Sequence, residues 1–101
     1  MTPATEIAFP LHKIAELCRR YHVRELAVFG SAARGDVRPD SDIDLLVEFD
    51  PDARVGLIGY ASLMLDLTSL LGRNVDLVDK DGLKPLIRSD ILAEARTLYA
   101  N

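Results

Sequence analysis

Cysteine is almost missing. Cys18 stands alone among 101 residues, so no disulfide can form within the chain, and a reducing compartment suits it. There is no surplus of positive charge either: a net charge of −4 argues against broad, sequence-independent nucleic-acid binding, which draws on excess Lys and Arg. No apolar run is long enough for a bilayer. The most apolar stretch, Leu57 to Leu71, is broken by Asp66 and falls short of the roughly 20 residues a spanning helix needs. The opening MTPATEIAFP lacks a basic segment followed by an apolar run, so no secretory signal is read there and a cytoplasmic location is expected. Repeats, low-complexity tracts and Ser/Gly/Pro linkers are also lacking, which leaves one domain over residues 1–101 as the expectation.

What is present is an ordinary globular balance, 49% apolar and 28% charged. A domain of this size buries about 65% of its unfolded surface and can hold a core without staples. The charge is unevenly spread. Residues 1–38 balance to +2 and residues 83–101 to +1, whereas residues 39–82 carry ten acids against three bases. The acid is gathered in the middle of the chain, where it is either solvated surface or a site.

Apolar periodicity gives the expected elements. Between Pro10 and His22, Leu11, Ile14, Leu17, Cys18 and Tyr21 recur at helical spacing. Glu25 to Phe29 reads as a strand running into Gly30-Ser31, and Ala32 to Arg34 as a brief helical turn that Gly35 ends. Residues 37–41 are turn chemistry. From Asp42 to Phe49 the residues alternate: Ile43, Leu45, Val47 and Phe49 point one way, and Asp42, Asp44, Leu46 and Glu48 the other. Leu57 to Leu71 is apolar on most sides and is expected to be a buried helix stopped by Gly72. Asn74 to Asp79 reads as a third strand, and Leu83 to Tyr99 as helical, with a division at Ser89. The fold class expected is α/β (α+β), a short mixed sheet of three or more strands with helices packed on it.

The chemistry lies in Gly30-Ser31, ten residues, then Asp42-Ile43-Asp44. Residues i and i+2 on a strand share a face, with Cβ atoms about 6–7 Å apart. Two carboxylates so placed repel and call for water or a cation between them. Asp is also rare in strands, and such violations of local preference tend to mark function. Hard oxygen ligands with room for water describe a Mg²⁺ site beside substrate phosphates. Asp76, between Val75 and Leu77, lines up with Asp42 and Asp44 if the two strands are neighbours. Three acids could then hold two metals about 3.5–4 Å apart, as in an in-line phosphoryl displacement. Gly30 lets the backbone approach a ligand, Ser31 adds a donor, and Arg34, one turn on, reaches the same anion.

Each part has a plainer explanation. A lone Gly-Ser is ordinarily a turn, paired aspartates can be a solvated edge, and Arg34 alone would be surface. His12 and His22 are expected at the surface, Tyr60 and Tyr99 in the core or an interface, and Asp50, Asp52, Asp79 and Asp81 as loop charge. Glu48 lies too far along its strand to join a metal. A P-loop is excluded because no Lys-Ser/Thr pair follows Gly35. It is the ordered set that weighs against chance.

That set resembles the minimal nucleotidyltransferases of the DNA polymerase β superfamily. The likeness rests on GSAARGD from Gly30, on SDIDLLV from Ser41 and on VDLV from Val75, and it spans roughly residues 11–99. The resemblance implies that Asp42 and Asp44 hold Mg²⁺ and the nucleotide, and that Asp76 completes a second metal position and serves or orients the base. Gly30 and Ser31 would take the β- and γ-phosphates, with Arg34 a further contact, and Lys84 and Arg88 would approach the nucleotide more loosely. It implies attack of a hydroxyl on the α-phosphorus of ATP with release of pyrophosphate. Minimal members are paired with HEPN-domain RNase toxins, so an antitoxin that transfers AMP to a toxin tyrosine is the leading expectation. Self-association or a hetero-oligomer with the partner is compatible with so small a chain. A non-catalytic nucleotide-binding or partner-docking module, and a subunit that modifies a small molecule, stay open beside it.

Overall fold

The structure is a computed structural model, and it describes residues 8–36, 38 and 40–101. Residues 1–7, where no signal was read, lie outside it, as do Val37 and Pro39 of the expected turn. In chain order the elements are α1 (Leu11–Arg20), β1 (Val23–Phe29), α2 (Ser31–Arg34), β2 (Ile43–Phe49) and α3 (Leu57–Leu71). There follow β3 (Val75–Asp79), a 3-10 turn (Lys80–Gly82), α4 (Pro85–Glu94) and β4 (Arg96–Ala100). The sheet is mixed and runs β3-β2-β1-β4. β1 is antiparallel to both β2 and β4, while β2 and β3 are parallel. The α/β class expected from the pattern is the one observed.

The core lies on one face of this sheet. Leu26 and Val28 of β1, Ile43, Leu45 and Val47 of β2, and Val75 and Leu77 of β3 meet Ile14 and Cys18 of α1 and Leu63 and Leu67 of α3. Each aliphatic side chain so buried contributes about 1.5–3 kcal/mol. α1 sits there because Ile14 and Cys18 fall four residues apart on one stripe, and Leu63 and Leu67 do the same for α3. The two helices are also clasped across the core edge, where the Tyr21 hydroxyl donates to Asp66 Oδ2 at 2.5 Å. That bond gives the one acid within α3 a partner, and it holds the Tyr21 hydroxyl above its ordinary pKa.

Two expectations are corrected. α3 is not buried on most sides: Leu57 and Ile58 are 83% and 84% exposed, and Leu65 is exposed too. In a two-layer domain an outer helix has only one stripe to give to the sheet, whatever its composition. The second correction is at the C-terminus, where the helical reading to Tyr99 fails. Ala95 takes an extended backbone (φ −65°, ψ 140°), and the chain then pairs as β4 along the outer edge of β1. Ser89 divides nothing, being inside α4. A strand edge in need of hydrogen bonds outweighs local periodicity in a stretch as short as RTLYA.

The other sheet face is the one with the acids. It is not wholly wet, because Leu46 and Ala27 are buried on it where the 3-10 turn packs against β2 and α4 against β1. The expected alternation of β2 holds in direction, but the second face is dry at its middle.

Candidate active site

The parallel register of β2 and β3 sets Asp44 directly beside Asp76. Asp42, just before β2, precedes Asp44 by two residues and shares its side of the sheet. Asp42 and Asp76 are exposed and Asp44 is half-buried. Burial, first, and then the charges of Asp76 and Asp42 push the Asp44 carboxyl above its ordinary value, with Arg34 opposing them. The three acids therefore feel one another across two strands, as the spacing predicted. Among the described residues, no three His, Cys, Asp or Glu side chains are drawn close enough to cage a metal ion as they stand. Mutual repulsion keeps carboxylates apart unless a cation bridges them. The donor set, hard oxygens on one face with an excess of negative charge, fits a divalent ion such as Mg²⁺.

Gly30 closes the site from the β1 side. It follows β1 at the start of α2 with φ 69°, a backbone state that L side chains rarely adopt. Any Cβ there would strike Asp44 Oδ2. The bend is glycine because its α-carbon must lie against the central acid, and Phe29, the residue before it, is Asp44's partner on β1. Ser31 begins α2, half-buried. Arg34 ends it and reaches Asp36 at 3.6 Å and Glu94 at 3.1 Å.

Two residues at this site escaped the sequence reading. Glu94, the last residue of α4, accepts from the Gly30 N–H at 2.9 Å and from Arg34 at 3.1 Å. With the helix expected to run on to Tyr99, nothing in the sequence singled this acid out. Arg73 donates to the Ser41 carbonyl at 2.8 Å and also to the Arg38 carbonyl, so it braces the backbone that carries Asp42. A cleft of about 320 Å³ opens beside it, lined by Asp40, Ser41, Asp42, Thr68, Arg73 and Asn74 among others. An arginine between Gly72 and Asn74 gives no hint of this in the sequence.

Other expected residues sit elsewhere. Arg88 donates to the Lys80 carbonyl at 3.0 Å and Lys84 is exposed just before α4, so neither stands among the charges that act on Asp44. Glu48 faces Glu25 across β1 and β2, and Lys80 pairs with Glu25 at 3.1 Å. Tyr60 lies against the core, its hydroxyl donating to the Leu77 carbonyl and its ring 6.2 Å from that of Phe49. Tyr99 also packs on the core, and His12 and His22 are exposed. Asp79 is more than loop charge, since its side chain caps the 3-10 turn through the Asp81 N–H at 2.9 Å. A cavity of about 510 Å³ lies away from the acids, between α1, α2 and β4.

A chain with a glycine bend against paired acids, and a third acid on the parallel neighbour, can be set beside known proteins. The nucleotidyltransferase domain family matches residues 11–98, and the chain belongs to that family. It is 44% identical over 79 residues to the protein adenylyltransferase MntA of Thermococcus cleftensis, covering 78% of each chain. A solved structure assigned to the minimal nucleotidyltransferases superposes with a TM-score of 0.74 at 43% identity, covering 85% of this chain and 86% of that one. A toxin–antitoxin complex with AMP-PNP gives the same TM-score, 0.74, at 25% identity, covering 92% of this chain and 75% of the other. Among the described residues, no helix is long and apolar enough to cross a membrane.

Proposed function

We propose that this chain is an antitoxin that transfers AMP from ATP to a tyrosine hydroxyl of a HEPN-domain toxin, with Mg²⁺ as the metal. The observation that carries the reading is the alignment of Asp44 with Asp76 across β2 and β3, with Asp42 on the same side and Gly30 against Asp44. The kinship with a protein adenylyltransferase, and the likeness to a toxin–antitoxin complex with AMP-PNP, support the donor and the kind of acceptor.

The residues divide the work. Gly30, Ser31 and Arg34 bind the β- and γ-phosphates and so aim the α-phosphorus at the sheet face. Asp42 and Asp44 would hold the divalent cation with Asp76 beside them, and Asp76 receives or orients the proton of the attacking tyrosine. The bound cation neutralises charge on the phosphates and lowers the barrier to attack. Catalysis is then mainly positioning and charge compensation. The bond formed is tyrosine oxygen to α-phosphorus, the bond broken is α-phosphorus to the bridging oxygen, and pyrophosphate leaves.

Incubation of the chain with ATP, Mg²⁺ and its HEPN partner, followed by mass spectrometry of the partner, tests the reading. An AMP adduct on tyrosine is expected, and it should vanish when Asp42→Ala and Asp44→Ala are combined. A partner that carries no adduct, or one still inhibited by the double variant, would point instead to neutralisation by docking alone.

A further inference from the structure

Of the three residues assigned above to the phosphates, two have their donors turned onto another anion. The Gly30 N–H and the Arg34 guanidinium both meet the carboxylate of Glu94, at 2.9 Å and 3.1 Å. This contact spans most of the chain and ties the end of α4 to the bend after β1. We propose that Glu94 is an internal competitor of the nucleotide: its carboxylate holds the phosphate donors in the free chain, and triphosphate binding displaces it. Glu94 thereby sets nucleotide affinity and favours ligands rich in phosphate charge. The inference rests on the nucleotide reading of the site.

Three observations favour competition over a merely structural clamp. The ion pair is half open to solvent, with side-chain exposures of 52% for Arg34 and 32% for Glu94, so it is screened and readily exchanged. Glu94 is itself only half-buried and α4 has no fully buried residue, so the carboxylate can swing away without opening the core. Finally, Glu94 is one of the negative charges acting on Asp44, so it adds to the repulsion an incoming triphosphate meets. A group serving only to present Arg34 would not cancel its charge.

The test is equilibrium binding of ATP and of adenosine to the full chain in the presence of Mg²⁺. E94Q keeps an acceptor for the Gly30 N–H and removes the charge. It is expected to tighten ATP about 2- to 10-fold and to leave adenosine unchanged. A loss of structure does not tighten binding, so the sign separates the two roles. In the native chain, the NMR resonance of the Gly30 amide is expected to move with ATP and stay still with adenosine. E94Q that binds ATP no better than the native chain, or a Gly30 amide unmoved at saturating ATP, overturns the proposal. A native chain that binds no ATP overturns the nucleotide reading beneath it, and the proposal with it.

Discussion

Asp44 is the residue where the needs of folding and of chemistry part. Burial and three neighbouring carboxylates hold its pKa above the ordinary value, so the folded chain binds its proton more tightly than the unfolded chain does. The ionised form is thus a cost to folding at neutral pH, relieved as the pH falls to and below that raised pKa. In metal-free buffer, D44N is expected to raise the melting temperature at pH 7, and the gain should shrink toward acid. Calorimetry across pH checks this, and a variant less stable than the native chain at pH 7 would contradict it. Asp42, Asp44 and Asp76 were legible in the sequence because carboxylates in strands defy preference and declare themselves. Glu94 and Arg73 were not, since each acts through a partner more than thirty residues away that no local pattern encodes.

At the scale of elements, the join between α3 and β3 shapes the site. Gly72 closes α3 with φ 69° and turns the chain so that Arg73 reaches back to the carbonyls of Arg38 and Ser41. The first acid therefore stands on a loop fastened by one guanidinium. Arg73→Ala is expected to slow AMP transfer about 10-fold or more, through misplacement of Asp42. R73K should rescue little, because an ammonium cannot reproduce the planar fork. Initial rates of adduct formation would show this, and an unimpaired R73A would refute it. The elements themselves were mostly readable: α1, α2, β2 and β3 fall within a residue or two of their periodic patterns. α3 was readable in extent but not in burial, since composition does not say how many sides of a helix have neighbours. β4 was unreadable, because its strand state comes from β1 beside it and not from Arg96–Ala100 alone.

The whole molecule is a helical layer on one sheet face with the chemistry on the other. Cys18 sits at the centre of the helical layer, with no exposed surface, and burial pushes its thiol up to about 12. Between pH 7 and 9 it therefore stays a thiol while the chain is folded. Ellman's reagent is expected to leave it unmodified in the native protein and to label it fully in denaturant, so that labelling follows global opening. Rapid labelling without denaturant would show that the core is looser than its packing implies. The sheet order has one more effect. Asp76 belongs to β3, which has no strand on its outer side among the described residues, so its flank borders solvent. A small acceptor would find no wall there to cradle it, whereas a bulky one can bring its own. The rim position of the third carboxylate thus suits an acceptor carried on another folded surface, whose contours supply that wall.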